Sequence, residues 1–195
     1  MIIAVTDRKI STRHDFLEQI ENVADALPDM IILREKDLSE PNYRYLAVEC
    51  ARLCGNRGIR FCVNKFVKTA HALELDDIQI SMDDLRQNAD LPFENIWVSV
   101  HSKDEAMEAE RLGATHLIYG NVFETSCKPS LGGKGLLDLR DVCDSVDIPV
   151  FGIGGIDASN VDLVLDAGCK GVCMRSALMT SKKPSLVLKD AREKM

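Results

Sequence analysis

The chain is short of what would tie it to nucleic acid, to a membrane or to an oxidising compartment. Its 24 Lys and Arg are outnumbered by 31 Asp and Glu, a formal net charge of -7. No basic stripe is longer than the pair Lys182, Lys183, which excludes the electrostatic footprint of a nucleic-acid or anionic-membrane binder. No apolar run approaches the ~20 residues of a membrane span, and Met1 to Arg8 is too brief an apolar start for a secretory leader. The expectation is a cytoplasmic protein. Only six prolines punctuate 195 residues, which fits one globular domain over 1–195 with a core of its own. The seven cysteines are an odd number with mostly apolar neighbours, the pattern of reduced, buried thiols. Cys50 and Cys54 share a helix face and Cys169 and Cys173 are also four apart, but neither pair has His partners at metal-binding spacing. Also missing is a glycine-rich dinucleotide fingerprint after the first strand, where Thr6-Asp7-Arg8-Lys9 stands instead.

What is present is alternation. Apolar, β-rich runs at Ile2 to Val5, Met30 to Arg34, Arg60 to Val63, Asp77 to Ile80, Ile96 to Val100, His116 to Tyr119, Pro149 to Gly152 and Gly171 to Met174 number eight. Helical patterns separate them over Phe16 to Leu27, Asn42 to Asn56, Lys65 to Leu75, Lys103 to Leu112, Leu136 to Ser145 and Asn160 to Ala167. Strands that read as continuous apolar runs are covered on both faces, which implies a parallel sheet with helical crossovers. Eight such units predict an α/β fold of the (βα)8 TIM-barrel class, a single lean domain. The chain is lean for that class, so a helix near Asp84 to Asp90 is expected to be short or irregular.

A barrel places its working residues at the carboxyl ends of its strands. Two of those ends look alike. The strand at Pro149 to Gly152 runs into the pair Gly154, Gly155, with Asp157 or Ser159 available to cap the next helix, and the strand at Gly171 to Met174 delivers Ser176 onto another helix start. Glycines let backbone N–H groups approach an oxyanion and helix starts favour its charge, so the pattern points to phosphate; a plain tight turn would also use glycines. The loop Asn121 to Lys134 is long for a compact domain, and its Thr125, Cys127, Lys128 and paired Gly132, Gly133 suggest a lid closing over an anion. Arg34-Glu35-Lys36 reads either as a solvated strand end or as cations meeting an anionic substrate, held by Glu35. Asp83 and Asp84 suit magnesium or a helix cap. Ser99 and His101 alternate with Val100 and so share a face; His101 is either an acid or base or a residue bonded to a neighbouring loop.

Taken in order, Ile32-Leu33-Arg34-Glu35-Lys36, Val63-Asn64, Val98 to Ser102, Tyr119 to Lys128 and Phe151 to Ile156 resemble the thiamine phosphate synthase / TenI superfamily over nearly the whole chain. The resemblance implies a phosphorylated thiazole as ligand. One branch joins it to a pyrimidine diphosphate with magnesium; the TenI branch tautomerises a thiazole phosphate carboxylate and often forms homo-oligomers. The thiazole-phosphate half matches at Ser99, Thr125, Lys128, Gly154, Gly155 and Ser176, with Arg34, Lys36 and Asn64 as further substrate-binding candidates. The other half departs: Ile32 stands for a Gln, Lys65 for a magnesium-binding Asp and Gln79 for a His, while Asp84 is retained as a second metal carboxylate without its partner. No cofactor is expected, magnesium only under the synthase reading.

Thr125-Ser126-Cys127-Lys128 is closer to the TenI form than to the synthase form. The expectation is therefore a TenI-like enzyme of thiamin biosynthesis performing tautomerase-type proton transfer on a thiazole phosphate. The His that TenI tautomerases use is Asn121 here, which an amide cannot replace as a proton carrier, so His101 and Cys127 are the substitutes to consider beside Asn121. The alternatives are a thiamine phosphate synthase, and a non-catalytic barrel that binds a phosphorylated ligand for regulation.

Overall fold

Short apolar runs close into a barrel here because both of their faces find cover. The computed structural model describes residues 1–11, 15–88, 91–124 and 133–195. Strands β1 (Ile2–Val5), β2 (Met30–Leu33), β3 (Arg60–Asn64), β4 (Asp77–Ser81), β5 (Asn95–Val100), β6 (His116–Gly120), β7 (Val150–Ile153) and β8 (Gly171–Met174) pair in parallel in sequence order. β8 returns to β1, with Ile3 opposite Cys173, and closes the ring. Helices α1 (Phe16–Asp25), α2 (Glu40–Gly55), α3 (Val67–Ala72), α4 (Met82–Gln87), α5 (Lys103–Arg111), α6 (Gly135–Cys143), α7 (Val161–Asp166), α8 (Ser176–Met179) and α9 (Pro184–Arg192) surround it. The α/β barrel expected from the alternation is the one observed.

Side chains along each strand divide the core into two apolar layers. Ile2, Ala4, Ile31, Leu33 and Val63 pack outward under the helices, while Ile3, Val5, Met30, Ile32, Cys62, Trp97, Ile118, Phe151 and Cys173 fill the barrel. The interior is sealed towards its N-terminal end. Fully buried Trp97 lies edge-on to Phe151 at 5.0 Å between centroids, stacks on His116 at 4.0 Å, and donates its indole N–H to Asp77 at 2.7 Å. Towards the C-terminal end, inward positions turn polar: Asn64 follows Cys62, Ser99 follows Trp97 and Arg175 follows Cys173. The buried groups Asn64 and Gln79 pair across β3 and β4, and Ser81 lies opposite Ser99 across β4 and β5.

Several element ends move from their expected places for local reasons. α3 is confined to Val67–Ala72 because Lys65 and Glu74, at φ of 70° and 52°, hold left-handed conformations that no helix can pass through. α4 starts earlier than expected, since Ser81 and Asp84 form a capping box before it. α7 follows Asn160, and neither Asp157 nor Ser159 caps it: the Asp157 carboxylate accepts from the Ser159 backbone and hydroxyl at 2.7 and 2.5 Å, closing a turn instead. α9 was not anticipated. It opens on Pro184, where the missing N–H costs nothing, and buries Leu188 and Ala191 near α1 and α8. No described helix is long and apolar enough to cross a membrane.

Candidate active site

The polar turn at the strand ends opens a cavity of about 310 Å³ at the barrel mouth. Its floor is the top of the inner apolar layer, Val5, Ile32, Ile118, Ile153 and Cys173. Its rim carries Arg34 and Lys36 after β2, Ser99 and His101 at the end of β5, Asn121 after β6, and Gly154, Gly155, Arg175 and Ser176 after β7 and β8. Eight of the sequence candidates thus meet in one cavity. Thr125, Cys127 and Lys128 lie outside the described residues. Asn64 is not on the wall; it sits behind it, buried, and bonds to Gln79, which is.

At β7 the glycines have two partners to serve. Gly154 and Gly155 take φ of 102° and 67°, conformations open to glycine. A Cβ at Gly154 would stand 2.5 Å from the Asn121 Cβ, and one at Gly155 would stand 2.6 Å from the Glu124 carbonyl oxygen. Close approach of the segment after β6 therefore requires them, beside any ligand. That segment is tied down by Phe123 N–H to Gly154 C=O at 3.0 Å and by Val122 N–H to Ile153 C=O at 2.9 Å. The N–H groups of Gly154, Gly155 and Ser176 donate to no protein acceptor among the described residues, leaving three donors at the mouth. Arg175 stands beside them, held by Asp7 at 3.5 Å.

At β2 one expectation is corrected. Glu35 does not hold Arg34 or Lys36. Its buried carboxylate accepts from the Thr6 hydroxyl at 2.8 Å and the Arg8 backbone at 3.1 Å, and lies 3.4 Å from the Arg8 guanidinium. Burial raises its pKa, with Thr6 and Arg8 opposing the rise. Alternation explains the geometry: Ile32, Arg34 and Lys36 reach the cavity, while Glu35 points towards the turn after β1.

His101 is oriented by β6. Its Nδ1 lies 2.6 Å from the Gly120 carbonyl oxygen, which can only accept, so Nδ1 carries the proton and Nε2 of the neutral ring is an acceptor. Its backbone N–H donates to Glu105 at 2.6 Å, and the Ser102 hydroxyl caps α5 by accepting from Glu105 N–H. Asn121 is buried and donates its side-chain amide to the Phe123 carbonyl at 3.3 Å. Lys134, from the far end of that loop, reaches the His101 carbonyl and lies over the Tyr119 ring.

A family scan matches residues 2–178 to the model described as thiamine monophosphate synthase. The chain belongs to that family. The thiamine-phosphate synthase of Clostridium acetobutylicum is 33% identical over 183 residues, which cover 92% of this chain and 87% of the relative. That of Desulfitobacterium hafniense is 33% identical over 190 residues, 95% and 92% of the two chains. Among solved structures, a thiamine phosphate pyrophosphorylase from Pyrococcus furiosus superposes with a TM-score of 0.84 at 27% identity, covering 98% and 93%. The TenI leaning of the loop motifs has no counterpart among these relatives, which carry the synthase name.

Magnesium, which the family resemblance implies for a synthase, does not fit the donors of this mouth. Asp84 is engaged in the capping box of α4, accepting from the Ser81 hydroxyl at 2.6 Å and the Ser81 N–H at 3.2 Å. Lys65 is exposed, lies 6.0 Å from the Phe66 ring and forms no ion pair with Asp84. Asp83 lines the cavity but pairs with Arg86 at 3.2 Å, and among the described residues no three His, Cys, Asp or Glu side chains converge. A hard divalent cation needs several oxygens at one point, and here a cation and a cap stand in their place.

The residues that sequence reasoning passed over at the rim are Ser81, Met82 and Glu105. The signal was available for Ser81 and Glu105: Ser81 with Asp84, and Ser102 with Glu105, each form a capping pattern with an acidic residue three positions on, which marks the strand-to-helix turn itself.

Proposed function

We propose that this chain synthesises thiamine phosphate, the activity for which its relatives are named, by joining a thiazole phosphate held at the β7 and β8 ends to a pyrimidine diphosphate held at the β2 end. The observation that carries this is the division of the rim into two anion-accepting corners on either side of β1. Arg34 and Lys36 form one, and the amides of Gly154, Gly155 and Ser176 with Arg175 form the other. Joining two phosphorylated partners calls for two such corners, and the synthase name of the relatives favours that use of them over a phosphate and a carboxylate of one ring. As diphosphate departs, its growing negative charge falls on Arg34 and Lys36, cations at the rim above the apolar floor. Thr125 and Lys128 are assigned to the thiazole phosphate on the family resemblance. The whole chain acts as one cytoplasmic unit.

The direct test mixes the purified protein with thiazole phosphate and the pyrimidine diphosphate and measures thiamin phosphate. Formation above the buffer rate is expected; a rate equal to buffer overturns the reading. A second reading, TenI-type tautomerisation, is favoured by the acceptor Nε2 of His101, which supplies a proton carrier that Asn121 does not. Acceleration of the thiazole carboxylate tautomerisation, lost in His101→Asn, is its result. Binding of thiazole phosphate without either turnover would assign the barrel a regulatory role, with Asn121 and Cys127 outside any chemistry.

A further inference from the structure

Running from the cavity wall to the space behind it, three polar side chains from three strands form a hydrogen-bonded row whose polarity can be read without seeing a hydrogen. Gln79 is 4% exposed and Asn64 1%. One end atom of the Gln79 amide lies 2.9 Å from the Ile80 carbonyl oxygen and 2.8 Å from Ser99 Oγ. A carbonyl only accepts, so that atom is the nitrogen, Nε2. Gln79 Oε1 therefore faces Asn64 and meets its amide nitrogen at 2.5 Å; the same nitrogen lies 3.3 Å from the Gln79 carbonyl oxygen, which excludes the flipped Asn64 as well. Ser99 Oγ thus accepts from Gln79, and no described group accepts the Ser99 hydrogen in return. Ser99 lines the cavity. At the other end of the row, buried Asn64 Oδ1 has no partner among the described residues.

We propose that Gln79 is a positioning residue: by donating to Ser99 Oγ it fixes the Ser99 hydroxyl as a donor into the cavity, so that the site selects a ligand ring presenting a lone pair there over one presenting a C–H or N–H. The inference rests on the reading of this cavity as the thiazole site for its choice of ligand, but not for the direction of the row. A buried row of aligned amides strengthens each bond in it, and a donor left without an acceptor in a desolvated mouth is costly, which is the source of the selectivity. The row holds no titratable group. The imidazole that the family resemblance expects at position 79 would make the Ser99 orientation depend on pH; the amide makes it constant.

Two measurements test this. The first compares binding of thiazole phosphate with that of the thiophene phosphate in which a C–H replaces the ring nitrogen, for the wild type, Gln79→Leu, Ser99→Ala and the double variant. Wild type prefers the thiazole; Gln79→Leu lowers that preference about five- to tenfold, the size of one hydrogen bond, and adds nothing once Ser99→Ala is present. An unchanged preference, or equal losses for both ligands, overturns the proposal, because a merely structural role weakens both alike. The second measurement needs no ligand. Glu in Gln79→Glu would face the Ile80 carbonyl, so its carboxyl must keep a proton to donate, and carbon-13 NMR is expected to show it titrating well above the ordinary range. Ordinary titration overturns the row's polarity even if thiazole phosphate proves not to bind. Gln79→His, which keeps a ring N–H donor, retains the ligand preference; its loss counts against the proposal.

Discussion

At the scale of single residues, the chain assigns familiar side chains to unfamiliar work. His116 lines no part of the mouth; it stacks on Trp97 at the sealed end, where burial lowers its pKa, Arg60 adds to the lowering and Asp77 opposes it. The folded protein therefore takes up that proton less readily than the unfolded chain. The stability contributed by neutral His116 is complete above the ordinary histidine range and is lost as pH falls below it. Urea unfolding from pH 7.5 to 5 should show wild-type stability falling more steeply than that of His116→Gln; equal slopes would remove His116 from the account. Gly154 makes a second prediction. An added methyl would press on the Asn121 backbone and side chain in a conformation that disfavours any Cβ, so Gly154→Ala is expected to cost about 1–3 kcal/mol in denaturant unfolding. Neither effect belongs to a residue that a motif alone would explain. The histidine was legible as a strand residue, its stacking partner was not.

At the scale of elements, the strand ends carry the lesson. Alternation along β5 was enough to place Ser99 and His101 together and Val100 apart, because a strand's period of two is set by the backbone. Alternation also placed Arg34 and Lys36 together, yet it could not tell where Glu35 would turn, since Arg8 lies 27 positions away on another strand's loop. Asp84 shows the reverse case. Its pattern with Ser81 is local and was legible as a cap, and the structure assigns it that duty in place of a metal. Asp84→Ala should lower stability by about 1 kcal/mol by loosening the start of α4, while the affinity for thiazole phosphate, read by calorimetry in magnesium, stays at the wild-type value. A large loss of affinity would return Asp84 to the site.

At the scale of the whole molecule, the barrel presents a polar, cationic rim above an apolar floor. Thiazole phosphate at a hundred times its dissociation constant should raise unfolding free energy by about 2.7 kcal/mol. The stabilisation should persist in a chelator, because the rim supplies its own cations, Arg34, Lys36 and Arg175, and the magnesium position holds Lys65 and a capping Asp84. A thermal shift that vanishes with chelator and returns with magnesium would show that the metal does fit. The same scale decides the core. Between 12 and 29 residues separate consecutive strands, yet Ile3, Ile32, Trp97, Phe151 and Cys173 fill one interior while the residues beside them cover the outside.

The sequence by itself determined the alternation of strand and helix, the parallel closed sheet, the strand ends that face the mouth and the glycine pair beside them, because all of these follow from backbone period and local conformational preference. Tertiary structure alone decided that Glu35 serves Arg8, that Gly154 and Gly155 admit the chain after β6, and that Asn64, Gln79 and Ser99 form one polarised row. Those outcomes depend on hydrogen bonds and contacts between strands made adjacent only by closing the barrel, and no local pattern encodes which of several polar neighbours a buried donor will meet.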